Sequence, residues 1–407
     1  MFYKREHQRR FLALEQRGKI IALVFITSIL AQLGIDLYLP SMPSMALAFH
    51  TSLSNVQLSL TVYMLGYGGS QLLFGYLVDK YGRRPVLLLD YAIFLIATIG
   101  LLHSPSIYWL LGWRFCQGLG AAAGQVTLRT MLRDLYDGKA LAKVLSMTAA
   151  IWAVIPIVAP VIGGYVQHYL NWQANFQILL VISALGFILT WKFLPETKPA
   201  NAVHHHILHS LRFHLKNKIF MLFSLAALCS TAMMMAYGTA SPAILLQHFN
   251  ITPVYFGWLM LIIASGNIAG ALLNTQLLRL TSINRISAIS FAILIISVVA
   301  YFLTSHLFSQ SLTLILLPIL LLSFSEGMLY PNLCTQTFNQ IHQYTGIATA
   351  LFGTIMMLGI VVASAIIALA PGHALHVLAW VLLAYTILLL LLFLSTLFKT
   401  HEKPTDR

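Results

Sequence analysis

Gly75-Tyr-Leu-Val-Asp79-Lys-Tyr-Gly82-Arg83-Arg84 is a short charged turn set between two long apolar runs. The run before it begins near Leu53 and is rich in glycine; the run after it goes from Pro85 to about His103. A turn of this length has no room for a domain, so it reads as a loop at a membrane face that joins two spans. Each of its small and charged residues has a mechanical use. Gly75 lets one helix approach another closely, and Gly82 permits a tight reversal. Asp79 can accept hydrogen bonds from an arginine or from the positive end of a neighbouring helix. Arg83 and Arg84 hold the loop in the cytoplasm. The competing view is a plain basic loop, as any membrane protein has.

Composition agrees with spans on either side. Apolar residues make up 59% of the 407 and charged residues 9%, with a mean hydropathy of +0.82. A soluble domain carries far more charge than that. The length divides into about twelve helices of roughly 20–30 residues with short loops. The net charge of +13 does not indicate nucleic acid, because the lysines and arginines cluster at alternate loops, as the positive-inside rule requires. The 3 cysteines, Cys116, Cys229 and Cys334, lie far apart in apolar runs and have neither metal nor disulfide spacing. No nucleophile set, zinc spacing or phosphate loop is present, so no cofactor and no metal are expected.

Polar residues inside the spans are the candidates for function, since each is costly in hydrocarbon and faces a cavity or a partner. The first span, about residues 20–48, holds Asp36-Leu-Tyr38-Leu-Pro40-Ser-Met-Pro43, and its two prolines favour a bend. In the fourth span, about 106–135, Arg114 falls far from both ends, followed by Gln117-Gly118-Leu-Gly120 and then Arg133. At about 1.5 Å per residue, Asp36 lies roughly 24 Å along a span entered from inside, and Arg114 roughly 12 Å along one entered from outside. Both reach the middle or outer half of the membrane, where they could pair or share a proton path. The tenth span carries Glu326 near its middle, then Gly327 and Tyr330-Pro331-Asn332. Tyr63, Tyr67 and Gln71 recur every four residues on the second span and line either a cavity or a packing face. Met233, Met234 and Met235, with Tyr237, offer adaptable apolar contact on the seventh, or ordinary packing. Asp90 in the third span snorkels or meets a basic group near the inner face.

Several of these stretches resemble the major facilitator superfamily. The Gly75–Arg84 loop resembles that family's loop between helices two and three. Asp36-x-Tyr38-Leu-Pro40-x-x-Pro43 resembles the first helix of the Bcr/CflA branch of drug:proton antiporters, and Arg114-x-x-Gln117-Gly118 resembles the fourth. Pro156-Ile-Val-Ala-Pro160-Val-Ile-Gly163-Gly164 resembles the fifth-helix antiporter motif, although Ala159 replaces the glycine before the proline. Gly327-x-x-Tyr330-Pro331-Asn332 and Thr345-Gly346…Gly353 resemble helices ten and eleven; Glu326 departs from the pattern.

The resemblance implies an all-α integral-membrane fold of twelve transmembrane helices in two pseudo-symmetric six-helix bundles. Residues 1–19 and 399–407 are then cytoplasmic tails, 20–194 and 219–398 the bundles, and 195–218, with His204-His205-His206, the cytoplasmic linker. The second bundle repeats the first weakly: Pro43, Phe49 and Leu53 have counterparts in Pro242, Phe249 and Pro253. The implied activity is proton-coupled export of small amphipathic molecules such as antibiotics. Asp36, Arg114 and Glu326 are expected to couple protons. Gly75, Asp79, Gly82, Arg83, Arg84 and Arg133 are expected to gate, and Pro156, Pro160, Gly163 and Gly164 to bend helix five. Tyr38, Tyr63, Tyr67, Gln117, Met234, Tyr237 and Tyr330 are expected in the substrate cavity. The expected partners are a small-molecule substrate, protons and the lipid bilayer of a bacterial inner membrane; no nucleic acid is expected, and the chain is expected to be a monomer. A dedicated siderophore or metabolite transporter, or an importer, has the same signature. An integral-membrane enzyme is the remote alternative.

Overall fold

The computed structural model describes residues 26, 29–136, 138–196, 207–339, 341, 345–370 and 373–400. The basic tail 1–19, His204–His206 of the linker, the tail from 401 and the side chain of Arg133 lie outside what is described.

All regular structure here is helical. Helix α1 covers residues 29–36, and a 3-10 turn, Leu39–Ser41, leads into α2, Met42–Ala48. There follow α3 (Leu53–Tyr81), α4 (Arg83–Leu102), α5 (Ile107–Leu119), α6 (Ala122–Leu135), α7 (Gly138–Tyr169), α8 (Trp172–Phe193) and the short α9 (Ile207–Lys216). The rest of the chain forms α10 (Lys218–Ser241), which runs on through a π-turn, Pro242–His248, and then α11 (Pro253–Leu277), α12 (Ile283–Leu307), α13 (Leu312–Phe338), α14 (Thr345–Leu369) and α15 (Ala374–Thr400). Among the described residues, eight helices are long and apolar enough to cross a membrane. The α3 helix is not one of them, because Gly, Ser, Tyr and Gln dilute its apolar run. Nor are α5 and α6, which are two pieces of one rod broken at Gly120.

The reason for that break lies on α4. A Cβ at Gly120 would collide with the backbone of Asp90 and Phe94, so only glycine lets the two rods touch. Asp90 then caps the new helix: its Oδ1 accepts from the Ala123 amide at 3.0 Å. A buried carboxylate at a helix start satisfies an otherwise orphaned N–H and meets the positive end of the dipole.

A repeat runs through the molecule in atomic detail. Gly66 of α3 and Gly118 of α5 interlock: a Cβ on the first would strike the Phe115 carbonyl, and one on the second the Tyr63 carbonyl. Gly270 of α11 and Gly327 of α13 do the same against the carbonyls of Phe324 and Asn267. Small residues permit such close crossings where lipid supplies no hydrophobic drive. The turns before α3 and α11 match as well. Among the described residues, His50 and Asn250 are the two non-glycine residues with positive φ, 47° and 52°. Ser52 and Thr252 cap the helices that follow, accepting from the amides of Asn55 and Tyr255. Packing across the two halves runs through α3 against α14 and α7 against α11.

Candidate functional site

The break between α1 and α2 positions the first acid. Pro40 and Pro43 sit in the opening positions of the 3-10 turn and of α2, where a missing N–H costs nothing. Asp36 is the last residue of α1, and its Oδ2 accepts from Gln32 Nε2 at 2.7 Å. Irregular backbone at membrane depth is tolerated where it lines a cavity, and Asp36 does so.

That cavity has a volume of about 390 Å³. Asp36, Gln32 and Leu39 form one wall; Met234, Met235 and Tyr237 of α10 and Met260 of α11 give it adaptable apolar surface. Glu326 and Tyr330 of α13 face it from the second half, and Pro156 of α7 completes the wall. Glu326 is held by Ser230, whose Oγ donates to Oε1 at 2.5 Å. The phenol of Tyr237 is buried without a hydrogen-bond partner among the described residues. No lysine or arginine lines this cavity among the described residues. Two carboxylates thus face an apolar chamber from opposite halves.

Arg114 lies elsewhere than on that wall. It is fully buried, at 0% exposure. Its Nη2 donates to the Gly34 carbonyl at 2.9 Å, its Nη1 to Gln117 Oε1 at 2.6 Å, and its Nε lies 3.4 Å from the Ser59 carbonyl. Its guanidinium carbon stands 4.4 Å from the ring centre of Tyr38, 4.3 Å from Tyr63 and 5.8 Å from Phe176. Cation–π contacts of this kind contribute about 2 kcal/mol when desolvated. Gln117 passes the chain on to Thr98, and Tyr38 and Tyr63 reach Ser59 and the Ala31 carbonyl. Tyr38, Tyr63 and Gln117 therefore surround Arg114 instead of lining the cavity, and Tyr67 bonds Gln125. Met234, Tyr237 and Tyr330 are the expected cavity residues that line it.

The Gly75–Arg84 loop is tight, as its sequence suggests. Gly82 has φ of 104°, a left-handed value suited to glycine. Asp79 is 64% exposed and 3.9 Å from Arg83. The principal anchor is Glu196, which sequence reading passed over. Its two oxygens accept from the amides of Arg83 and Arg84, at 2.9 and 3.1 Å. This is an N-terminal cap for α4 supplied from beyond the end of α8. Arg84 also donates to the Trp191 carbonyl at 2.7 Å. A Cβ at Gly75 would meet nothing within 4 Å, so no helix crowds it here.

On α7, Gly163 faces the Leu37 carbonyl and Gly164 the Pro253 carbonyl. Gly257 of α11 faces Pro160 and Val161 in return. The Pro160–Gly164 segment is thus wedged between the α1 break and α11. Among the described residues, no cluster of three or more His, Cys, Asp or Glu stands ready for a metal ion.

Residues 24–364 match the family model described as Major Facilitator Superfamily. The chain belongs to that superfamily. It is 30% identical over 356 residues to the uncharacterized MFS-type transporter YdgK of Bacillus subtilis (strain 168), covering 83% of this chain and 86% of the relative. It is 26% identical over 355 residues to Multidrug resistance protein D of Escherichia coli (strain K12), covering 86% and 89%. Among solved structures, a bacterial homolog to the human lysosomal transporter Spinster, inward-facing and unoccupied, superposes with a TM-score of 0.72 at 14% identity, covering 97% of this chain and 100% of that one. The superfamily's fold and the multi-pass membrane character are those of a transporter, not an enzyme.

Proposed function

We propose that this chain is a proton-coupled exporter of small amphipathic molecules, drugs among them, that works by alternating access. The observation that carries the reading is the pairing of Asp36 and Glu326 from opposite halves across an apolar cavity. A carboxylate in such a place holds either a proton or a cationic group, and exchange between the two is what antiport requires. Because the acids belong to different halves, their separation and solvation change when the halves rock, which makes proton affinity depend on the state. Methionine and aromatic walls suit varied ligands, in keeping with the name of the E. coli relative.

Within this reading Asp36 carries the coupled proton, while Arg114 positions the turn of α1 that holds it. The Asp79–Arg84 loop and Glu196 govern the exchange between states. The chain sits in the inner membrane as a monomer, with the 1–19 and 399–407 tails and the 195–218 linker in the cytoplasm, between bundles at 20–194 and 219–398.

Purified protein in vesicles, given an imposed pH gradient and a panel of dyes, antibiotics and siderophores, tests this. Uphill movement of amphipathic compounds driven by the gradient is the expected result. Movement of siderophores alone would favour a dedicated exporter, and gradient-independent movement would overturn proton coupling.

A further inference from the structure

Three helices from the two halves converge one turn beyond the central cavity. In α3, Leu60 lines the cavity; in α10, Gly238 does; in α14, Ile360 does. Within a turn of each lies a buried polar residue: Thr61 beside Leu60, Thr239 beside Gly238 and Ser364 one turn beyond Ile360, with Gln57 a turn from Thr61 along α3. These four are bonded to one another, and two of the three bonds cross the halves. Gln57 Nε2 donates to the Thr239 carbonyl at 2.6 Å. The hydroxyls of Thr61 and Ser364 are 2.7 Å apart, and those of Thr239 and Ser364 are 3.1 Å apart. On the far side of this cluster a second cavity opens, of about 290 Å³. Its wall takes Leu53, Ser54 and Gln57 from α3, Ala243 and His248 from the π-turn, and Ile367 from α14. Along α10 and α14 the order is central cavity, hydrogen-bonded cluster, outer chamber; on α3, Thr61 stands beside Leu60 and Gln57 reaches the outer chamber itself. The spacings Gly238 to Ala243 and Ile360 to Ile367 make the barrier between the two cavities about one and a half to two helical turns thick, roughly 8–10 Å.

We propose that Gln57, Thr61, Thr239 and Ser364 form the latch that seals the central cavity at the Leu53 end. This rests on the alternating-access reading above and extends it to the gate. The chemistry suits a gate that must open often. Parting four apolar side chains exposes their surface to water, a cost that grows with every methylene. Parting hydrogen-bonded hydroxyls and amides lets water take the place of each lost partner, so the net cost is small. Three bonds that cross between helices also fix the register in which α3, α10 and α14 meet, which loose apolar contact does not.

The test measures access to Ile360→Cys, just inside the latch, by a membrane-impermeant maleimide. The reagent is offered from the face at which exposed Ser54→Cys reacts in a separate sample, and the parent chain gives the background of the native cysteines. Thr61→Val keeps the side-chain shape and removes one bond; Ser364→Ala removes two, of which the one to Thr61 crosses the halves. Loss of one cross-half bond of ordinary net strength shifts a two-state ratio roughly fivefold, so labelling should accelerate by about that factor in Ser364→Ala and in Thr61→Val alike. If Ser364→Ala fails to fold, Thr61→Val and Gln57→Met read the remaining bonds singly. Unchanged labelling in folded variants would mean that apolar packing alone closes this end, and would overturn the latch while parent transport stands. Failure of parent Ile360→Cys to react from this face under substrate and a pH gradient would instead overturn alternating access.

Discussion

Arg114 and Asp36 meet at the same turn of α1 without forming an ion pair. The guanidinium donates to the carbonyl of Gly34, two residues before Asp36, while the Asp36 carboxylate takes its hydrogen bond from Gln32. The arginine therefore sets where the acid stands, and the acid remains free to change its charge. This separates their mutants.

Asp36→Asn should keep its bond to Gln32, insert normally and lose accumulation driven by a pH gradient. Substrate binding and one-for-one exchange should persist. Vesicles with and without the gradient check this; undiminished uphill transport would remove Asp36 from coupling and leave Glu326.

Arg114→Lys should fail for a different reason. Lysine's three donors sit on one nitrogen and cannot reach acceptors that the guanidinium meets from three separate nitrogens, and an ammonium stacks poorly between Tyr38 and Tyr63. With each charge-assisted bond contributing about 1.5–3 kcal/mol, the folded protein should lose several degrees of melting temperature in detergent. An Arg114→Lys protein with parental stability and no transport would assign Arg114 a direct part in proton transfer.

Glu326→Gln should discriminate among substrates. The amide retains the Ser230 bond but cannot balance a positive charge, so uptake of cationic dyes should fall at least tenfold while neutral antibiotics are unaffected. Equal loss of both would assign Glu326 to coupling or folding.

Asp79→Ala should fold, since Asp79 is largely exposed, and should lower turnover with substrate affinity unchanged. Glu196→Ala, which strands the amides of Arg83 and Arg84, should in addition cost about 1 kcal/mol of stability. Binding titrations beside single-turnover transport distinguish affinity from rate.

Two glycines should differ sharply in folded yield. Gly118→Ala drives a methyl into the Tyr63 carbonyl and should sharply reduce folded yield. Gly75→Ala has open space before it and should purify as the parent does.

Much of the architecture was legible because apolar runs and basic loops are local signals. The long apolar helices come close to where the hydrophobic runs begin and end. Asp36 and Glu326 stood out because an acid in a span needs a cavity, and both line one. The stripe Tyr63–Tyr67–Gln71 was harder: its period shows a shared face but not which neighbour that face meets, and Tyr63 meets Arg114. Glu196 escaped notice because its partners lie more than a hundred residues upstream, and nothing near it in sequence signals a cap. Asp90 was legible as an acid in a span, but it neither snorkels nor meets a basic group: it is buried and caps the start of α6, a helix start hidden inside a smooth apolar run. The latch was invisible for a related reason: threonine and serine are common in spans, and only the meeting of three helices gives Thr61, Thr239 and Ser364 a joint role.

The interlocked glycines bear on how such a protein changes over generations. Gly66 with Gly118, and Gly270 with Gly327, bring backbone against backbone, so the stiffness of each half does not depend on the side chains that face the cavity. Met234, Met260 or Ile263 can then be exchanged one at a time, altering what the chamber accepts while the frame keeps its shape. New cargo can be acquired at the wall without re-engineering the machine that moves it.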